Sequence, residues 1–483
     1  MSYSRNMTQT HTFAGKIAAA LGIASLAVLG VAGSAQAATA FSEVAVIPSG
    51  ADSIGQNPTD VAVDSVHHRA YVTNFVDGSV SVVDTSGAGA EVVQVIPNGA
   101  GSIGKGAWGV AVDTAHNRAY VTNAVDNSVS VIDTTGTGAH VVAVISYAAG
   151  NGHSPRSVAI DATHNRAYVV NTDDDTVSVI NTGGTGITVD SVISIDIGSA
   201  PSDVAVDQVH SRAYVTNDND GTVSVIDTTG AGTNVIAVIP HGATSIQNSP
   251  QSVEVDGAHN RAYVANAGSD SISVIDTTGT GTAVTEVITA GIGEGPLGIA
   301  VDTTRNRAYV ANFISGTVSL IDTTGAGNTV IASTSVGRGA WGVAVDIEHD
   351  RAYVANNLVS TVSVVAAQTS PVITTPAGAL TGGTVSAAYS PVTIEATGTP
   401  APTFTATGAL PPGLTLSAAG VISGTPTTAG TYTFTVVASN GVDPDASQTF
   451  SIAISAAAVV PAPATPGAAG AAKPAAHLPV VSG

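Results

Sequence analysis

One phrase recurs seven times between residues 61 and 365 and limits the chain to a repeat architecture. With small variations it reads V-A-V-D, a short turn, R-A-Y-V-[TA]-N, a second turn, then [TS]-V-S-V-I-D. Its tyrosines are separated by 49, 48, 46, 49, 46 and 44 residues: Tyr71, Tyr120, Tyr168, Tyr214, Tyr263, Tyr309 and Tyr353. A period of this length indicates stacked copies of one supersecondary unit.

Each copy contains four short stretches rich in Val, Ile, Thr and Tyr, separated by Gly, Asn, Asp and Thr. This pattern predicts short antiparallel strands joined by tight turns, and no 3.6-residue helical period runs through the copies. In the second copy the predicted strands are Val110–Asp113, Arg118–Asn123, Ser128–Asp133 and His140–Ile145. Four strands per copy predict an all-β fold, a seven-bladed β-propeller of four-stranded antiparallel blades.

A propeller must also hide the sheet edges between its first and last blades. The seventh copy supplies three strands and ends at Val362–Val365. The phrase Phe41–Pro48 resembles the fourth-strand phrases Val92–Pro97 and Val235–Pro240. We therefore expect this N-terminal strand to complete blade seven and close the ring.

The repeats resemble the bacterial YVTN-repeat β-propellers, and Tyr-Val-Thr-Asn occurs at 71–74, 120–123 and 214–217. The resemblance covers residues 41–366. It implies an extracellular surface or secreted protein and transfers no catalytic residues.

A second strand-rich segment follows the propeller. The phrases Leu410–Ser417, Gly420–Pro426 and Gly430–Val436 are similar to those of bacterial immunoglobulin-like and cadherin-like modules, which implies a β-sandwich. From Ala456 the composition becomes rich in Ala, Pro and Gly, which is typical of a flexible tail. The predicted organisation is a signal peptide at 1–37, a propeller at 38–368, an immunoglobulin-like domain at 369–455 and a disordered tail at 456–483.

The N-terminus predicts export. Arg5 and Lys16 precede an uncharged apolar run at 17–33, and Ser34–Ala37 ends in an A-x-A site. These features are typical of a cleaved signal peptide, whereas an uncleaved anchor would need about 20 apolar residues. No other segment is long and apolar enough to span a bilayer, so no transmembrane segment is expected in the mature chain. The expected location is secreted, with possible attachment to the cell surface.

Charge argues against nucleic acid as a partner. The formal net charge is −21, and it becomes −23 when the two cations of the signal peptide are removed. Of the remaining lysines and arginines, seven belong to the R-A-Y-V phrase, and five lie elsewhere: Lys105, Arg156, Arg305, Arg338 and Lys473. Five scattered cations are too few to follow a phosphate backbone. The absence of cysteine means that the fold depends on its core rather than on disulfides.

Antiparallel order places the turns between strands one and two and between strands three and four at one end of the ring, the turn face. The remaining connections form the loop face. On the turn face an Asp and an Arg lie five residues apart in every copy, as in Asp64 and Arg69, and we expect each pair to form an ion pair. A histidine also recurs there, taken as His68 in the first copy. Such histidines lie one per blade and cannot converge on one metal ion, so we expect them to pack in the turns.

Binding is predicted at the loop face, because its sequences vary between copies. The positions before strand one should surround the channel mouth: Thr59, Trp108, Arg156, Ser202, Gln251, Leu297 and Trp341. Trp108 and Trp341 occur in the phrases G-K-G-A-W-G and G-R-G-A-W-G, which also contain Lys105 and Arg338. Glu254 replaces the Ala of the other copies. The predicted ligand-binding residues are Trp108, Trp341, Arg156, Gln251, Lys105, Arg338 and Glu254. The alternatives are that the tryptophans plug the channel and that Glu254 is a solvated channel carboxylate.

The turns between strands two and three are acidic and suggest a calcium site. Calcium prefers several oxygen ligands, whereas Asp and Asn are also common turn residues. The candidate ligands are Asp173, Asp174, Asp175, Asp218 and Asp220.

Three functions remain open. The favoured one is a non-catalytic secreted or surface protein that binds an extracellular protein or glycan through the loop face. Seven-bladed propellers also include lactonases and lyases, but the sequence shows no nucleophile elbow, His-rich metal motif or convergent acid/base pair. A structural surface-layer component, which would self-associate, is the third.

Overall fold

The computed structural model describes residues 39–457 apart from positions 51, 88, 137, 148–151, 185–186 and 326. All regular elements in this part of the chain are β-strands, and it contains no helix that could cross a membrane. The predicted signal peptide and nearly all of the predicted tail lie outside the described residues.

The first six blades are four-stranded sheets whose strand order follows the chain. Blade 1 contains β2 (Pro58–Asp64), β3 (Arg69–Asn74), β4 (Ser79–Asp84) and β5 (Glu91–Ile96). Blade 2 contains β6 (Ala107–Asp113), β7 (Arg118–Asn123), β8 (Ser128–Asp133) and β9 (His140–Ser146). Blade 3 contains β10 (Pro155–Asp161), β11 (Arg166–Asn171), β12 (Thr176–Asn181) and β13 (Thr188–Ile193).

Blade 4 contains β14 (Pro201–Asp207), β15 (Arg212–Asn217), β16 (Thr222–Asp227) and β17 (Asn234–Ile239). Blade 5 contains β18 (Pro250–Asp256), β19 (Arg261–Asn266), β20 (Ser271–Asp276) and β21 (Ala283–Ile288). Blade 6 contains β22 (Pro296–Asp302), β23 (Arg307–Asn312), β24 (Thr317–Asp322) and β25 (Thr329–Ser335).

Blade 7 uses both ends of the propeller sequence. It contains β26 (Ala340–Asp346), β27 (Arg351–Asn356) and β28 (Thr361–Ile373), and its outer strand is β1 (Thr39–Ile47). Strand β1 pairs antiparallel with β28, with Phe41 opposite Ala367 and Ile47 opposite Val362. The predicted closure by the N-terminal strand is therefore confirmed. Strand β26 lies beside β2 of blade 1, which completes the ring of seven blades.

The hydrophobic core lies between neighbouring blades. Strands two and three of each blade are buried along almost their whole length, because the preceding blade covers one face of the sheet and the following blade covers the other. Outer strands such as β9 alternate between exposed and covered residues. All seven repeat tyrosines are fully buried, and Tyr353 of blade 7 packs with Val61 and Val72 of blade 1. This burial explains why the repeat is so rich in Val, Ile and Tyr.

The asparagine that ends each R-A-Y-V-x-N phrase forms buried hydrogen bonds with hydroxyl groups of strand three. Asn74 donates from Nδ2 to the hydroxyls of Ser79 and Ser81, each at 3.0 Å. Equivalent asparagines bond the first and third residues of the [TS]-V-S phrase in the other blades. The two phrases recur together because a buried amide without partners would be costly.

The arginine of each phrase connects neighbouring blades. Arg118 of blade 2 donates to the carbonyl oxygens of Thr182 (2.9 Å) and Gly184 (2.8 Å) in the strand three–four turn of blade 3. The arginines of blades 1, 3, 4, 5 and 7 make the same contact, and Arg351 of blade 7 reaches Thr85 and Gly87 of blade 1. We call this contact the arginine latch.

The predicted ion pair between each repeat arginine and the aspartate five residues before it was wrong for most blades, because the arginine forms the latch instead. Among the described residues, a repeat arginine pairs with the aspartate five residues before it in blade 7 alone, between Arg351 and Asp346 (2.9 Å). Blade 6 faces the one blade without a strand three–four turn, because β1 comes from the other end of the chain. Arg307 there bonds Asp350 at 3.2 Å. The predicted pairs assumed that each arginine bonds within its own hairpin, whereas the carbonyl groups that the latch arginines contact belong to the next blade.

The turn aspartates instead bond histidines three residues later, which confirms that these histidines pack in the turns. His116 Nδ1 lies 2.7 Å from Asp113 Oδ2, and blades 3, 4, 5 and 7 repeat this pair. In blade 1 the partner of Asp64 is His67, so the assignment of His68 to this position was wrong. His68 adopts a positive φ of 52°, the conformation that Asn117 takes in blade 2.

The C-terminal module is a two-sheet sandwich. One sheet contains β29 (Gly378–Ala379), β30 (Gly383–Thr384), β33 (Thr403–Gly408), β36 (Gly430–Ser439) and β37 (Ala446–Ser455). The other contains β31 (Val392–Thr393), β34 (Leu414–Leu416) and β35 (Val421–Gly424). Phe404, Ile422, Phe434 and Phe450 fill the core between them. The propeller strand β28 continues past the predicted boundary at 368/369 and pairs with β32 (Ala396–Thr399), so one strand belongs to both domains.

We expect Arg351→Ala to lower the free energy of unfolding by roughly 2–4 kcal/mol, because it leaves the carbonyl oxygens of Thr85 and Gly87 without their donor and removes the ion pair with Asp346, which keeps its contact with His349. Urea unfolding followed by circular dichroism measures this change. The exposed Arg338→Ala should stay within about 0.5 kcal/mol of the native chain. Equal effects of the two substitutions would contradict the role given to the latch.

Candidate functional site

The first strands of the seven blades enclose a central cavity of about 400 Å³. Valine, isoleucine, alanine, glycine and serine line most of it, because each blade contributes residues of a V-A-V-D phrase. Three carboxylates interrupt this lining: Asp60 in blade 1, Asp203 in blade 4 and Glu254 in blade 5. No histidine, lysine or arginine is among the described residues that line the cavity.

Asp60 and Asp203 occupy equivalent positions and hold neighbouring blades. Asp60 accepts hydrogen bonds from the backbone N–H of Val61 (2.8 Å) and of Val110 in blade 2 (3.0 Å). Asp203 accepts from Val253 N–H in blade 5 (2.9 Å) and from the Ser157 hydroxyl in blade 3. Neither residue was predicted from the sequence. The signal was available, since the other five blades carry Gly or Ser at this position.

Glu254 lies in the cavity two positions further along its strand, as the sequence predicted. Burial, together with the nearby Asp203 and Asp60 carboxylates, raises the pKa of Glu254 to about 8. Burial likewise raises the pKa of Asp60 to about 7, against the lowering effect of its two backbone hydrogen bonds. Burial also raises the pKa of Asp203. The cavity therefore favours protonated carboxyl groups near neutral pH.

Four aromatic side chains from four blades meet at the loop face. Phe75 packs edge-on against Trp108 with ring centroids 5.1 Å apart, Trp108 against Trp341 at 5.6 Å, and Trp341 against Phe313 at 5.3 Å. All four are half-buried. We call them the aromatic quartet. Trp108 and Trp341 were expected around the channel mouth, but their contact with each other was not predicted. Phe75 and Phe313 were missed because they follow strand two rather than precede strand one.

Arg156 completes this cluster. Its guanidinium carbon lies 4.8 Å above the Trp108 ring, a cation–π contact between blades 3 and 2. The backbone also fixes Trp108, because its carbonyl oxygen accepts hydrogen bonds from the hydroxyls of Thr59 (2.8 Å) and Thr73 (2.6 Å). The aromatic quartet and Arg156 therefore form a preorganised surface.

The other predicted ligand contacts lie apart from this cluster or at its edge. Gln251 donates from Nε2 to the Ser249 hydroxyl at 3.0 Å. Lys105 and Arg338 are exposed in the loops that precede Trp108 and Trp341. Glu254 lies inside the cavity. The structure therefore brings Trp108, Trp341 and Arg156 together, with two exposed cations nearby.

The structure does not bring the candidate calcium ligands together. Asp174 contacts His153 at 2.8 Å, and Asp218 accepts a hydrogen bond from the Ser249 hydroxyl at 2.6 Å. Asp175 and Asp220 accept backbone N–H groups of Ala200 and Ser199, each at 2.7 Å, and Asp173 is exposed. Among the residues with described positions, no group of three or more acidic, His or Cys side chains could hold a metal ion. Asp174 and Asp220 connect the strand two–three turn to the loop before strand one of the same blade, whereas Asp175 and Asp218 connect it to the loop before strand one of the next blade.

We expect Glu254→Gln to stabilise the protein above pH 8. An acid whose pKa is raised on folding stabilises the folded state fully below its unfolded pKa of about 4, and this contribution is lost as pH rises through 8. The substitution should therefore flatten the fall in melting temperature between pH 5 and 9, with a gain of roughly 1–3 kcal/mol at the alkaline end. The control Glu91→Gln, at an exposed site on β5, should leave the profile unchanged. Identical profiles for Glu254→Gln and the native chain would show that Glu254 is well solvated.

The domain organisation has clear counterparts. The family model "Lactonase, 7-bladed beta-propeller" matches residues 53–192 and 184–338, and the model "Putative Ig domain" matches residues 354–455. No curated protein matches the sequence.

Solved structures share the propeller fold at low identity. Hydrazine synthase from Kuenenia stuttgartiensis is 17% identical with a TM-score of 0.52, and the alignment covers 64% of this chain and 95% of that chain. A protein from Lactobacillus plantarum is 18% identical with a TM-score of 0.52, with coverages of 60% and 87%. U3-55K is 10% identical with a TM-score of 0.54, with coverages of 67% and 98%. These similarities show the fold alone.

The two propeller matches together span residues 53–338, more than half of the sequence. A propeller with an immunoglobulin-like domain suggests a surface or binding protein. The chain belongs to the family of seven-bladed β-propellers described as lactonases, and it carries an immunoglobulin-like domain at its C-terminus.

Proposed function

We propose that this protein is a secreted or cell-surface binding protein that recognises an extracellular partner through its loop face without catalysis. The observation that carries this proposal is the aromatic quartet with Arg156 stacked on it. Most of each blade repeats the same residues for the same structural contacts. These five residues depart from that repetition and meet at one place.

The chemistry of this cluster supports recognition. Tryptophan and arginine are the residue types that most often dominate binding energy at interfaces, and here they are held in place before any partner arrives. The predicted signal peptide supports export. The immunoglobulin-like domain shares β28 with blade 7, which supports a role as a firm extension of the propeller rather than a loosely tethered one.

A lactonase-type hydrolase is the second candidate, because the family model and the cavity carboxylates favour it. A carboxyl group with a pKa near the working pH suits general acid–base catalysis, and Glu254 has a pKa of about 8. Asp203 lines the same cavity and accepts a hydrogen bond from the Ser157 hydroxyl. Against this candidate, the described cavity lining offers no histidine to activate a serine and no cation to stabilise an oxyanion.

The binding proposal predicts that residues 38–483 bind components of an array of extracellular proteins and glycans. Trp108→Ala/Trp341→Ala should weaken that binding by about tenfold or more, because the double substitution removes the centre of the aromatic quartet. Circular dichroism and thermal unfolding must show that the variant remains folded. Binding that is unaffected by the substitutions would place recognition elsewhere, and no binding by the native chain would contradict the proposal.

The two candidates also differ in turnover. We expect no hydrolysis of a panel of γ- and δ-lactones above the background rate, measured by pH-stat titration. Turnover that falls at least about tenfold in Glu254→Gln, but not in Glu91→Gln, would replace the binding proposal with the hydrolase.

A further inference from the structure

The loop face is divided into an apolar half and an acidic half. In blades 6, 7, 1 and 2, which are consecutive around the ring, the strand two–three turns expose aliphatic side chains. These are Val76 (56% exposed), Val125 (43%), Ile314 (37%), Leu358 (53%) and Val359 (41%), and we call them the aliphatic rim. In blades 3, 4 and 5 the equivalent turns carry aspartates: Asp173, Asp174, Asp175, Asp218, Asp220 and Asp270. Among the described loop-face residues of blades 3 to 5, Ile195 is the one large aliphatic side chain that is exposed, and it lies in a different loop.

The aliphatic rim is continuous with the aromatic quartet. Phe75 and Phe313 immediately precede Val76 and Ile314 in the chain, and the quartet contacts connect blades 6, 7, 1 and 2 in that order. Gly106 shows how closely blades 1 and 2 meet. A Cβ atom there would lie 2.6 Å from Val125 Cγ2 and 3.2 Å from the Phe75 ring. The exposed apolar residues of this half therefore form one surface.

The charges of the two halves also differ. The apolar half carries Lys105, Arg338 and the guanidinium of Arg156, together with the carboxylates Asp52, Asp77, Asp126 and Glu294. The loops and turns of blades 3 to 5 otherwise contain no lysine or arginine at this face among the described residues. On a chain with a net charge of −21, the apolar half is thus the part of the loop face where an acidic partner meets the least repulsion.

The geometry favours a polypeptide over a sugar. Sugar binding by aromatic residues needs a free ring face, but the quartet rings pack against one another and Arg156 covers Trp108. The exposed part of the surface consists of branched aliphatic side chains, which pack against the apolar side chains of another protein. Apolar patches of this kind on a soluble protein mark interaction sites.

We propose that the aromatic quartet and aliphatic rim bind an extracellular polypeptide segment whose apolar side chains are flanked by carboxylates. This inference rests on the proposed binding function and names the class of partner. The apolar side chains of the segment lie on blades 6, 7, 1 and 2, and its carboxylates face Lys105 and Arg338.

A displayed library of random dodecapeptides, selected on residues 38–483, provides the probe. Enriched peptides should combine aromatic or aliphatic residues with Asp or Glu. A selected peptide should bind Ile314→Ser/Leu358→Ser about tenfold more weakly. The control Val66→Ser/Val209→Ser changes residues that are 59% and 65% exposed on the turn face, and it should leave the dissociation constant within about twofold.

A second pair of variants tests the charge. Lys105→Glu/Arg338→Glu should weaken peptide binding about tenfold and reverse its salt dependence, because added salt then screens a repulsion instead of an attraction. Lys105→Arg/Arg338→Lys keeps both charges and should retain the affinity. Equal binding by the charge-reversed and charge-conserved variants would overturn the assignment of an acidic partner.

The remaining outcomes separate this inference from the proposed function. Binding of a glycan that depends on Trp108 and Trp341, with no peptide enriched, would overturn the inference and leave the proposed function standing. Peptides indifferent to the rim substitutions would also overturn it. A concentration-dependent dimer that Ile314→Ser/Leu358→Ser dissociates would assign the surface to a second copy instead. No binding by peptide, protein or glycan would overturn both.

Discussion

The arginine latch is the interaction on which the rest of this structure depends. A propeller blade is a small sheet whose faces must be covered, and the ring must also stay closed where its ends meet. Arg351 joins the last blade to the first with the contact that the other latches use within the ring. Only between blades 6 and 7 does an ion pair with Asp350 take its place. Because the repeated residues make the contacts that keep the blades together, the sequences of the loop-face connections can change without opening the ring.

This division explains where the irregular residues lie. The repeated Tyr, Asn, Asp and His residues satisfy structural needs that recur in every blade. Asp60, Asp203 and Glu254 interrupt the lining of the cavity, whereas the aromatic quartet interrupts the loop face. A recognition surface made by four consecutive blades needs a ring that does not open, so the latch and the proposed binding site are physically linked. Strand β28 pairs with β27 in blade 7 and, further along, with β32 at the start of the immunoglobulin-like domain.

The repeat alone was sufficient to predict the seven blades, their strand order and closure by β1, because strand pairing within a blade is local and recurs with a fixed period. It also predicted that Trp108 and Trp341 lie at one face. Contacts between blades were not predictable in the same way. The carbonyl groups that Arg69 and the other latch arginines contact lie more than 60 residues away in the sequence, so the aspartate five residues before each arginine was the wrong partner to predict in blades 1 to 5. Phe75 and Phe313 were missed for the same reason, since only the closed ring brings strand-two ends to the Trp residues.

In this account, the residues that differ between blades bind the partner, whereas the repeated residues keep the ring closed. Hydrogen exchange across residues 39–457, with and without a peptide selected on the protein, tests this division of roles most directly. We predict slower exchange on binding around Phe75–Val76, Lys105–Trp108, Phe313–Ile314 and Leu358–Val359, with unchanged exchange in the latch turns. Slowing confined to the turn face, or to the acidic turns of blades 3 to 5, would contradict the account.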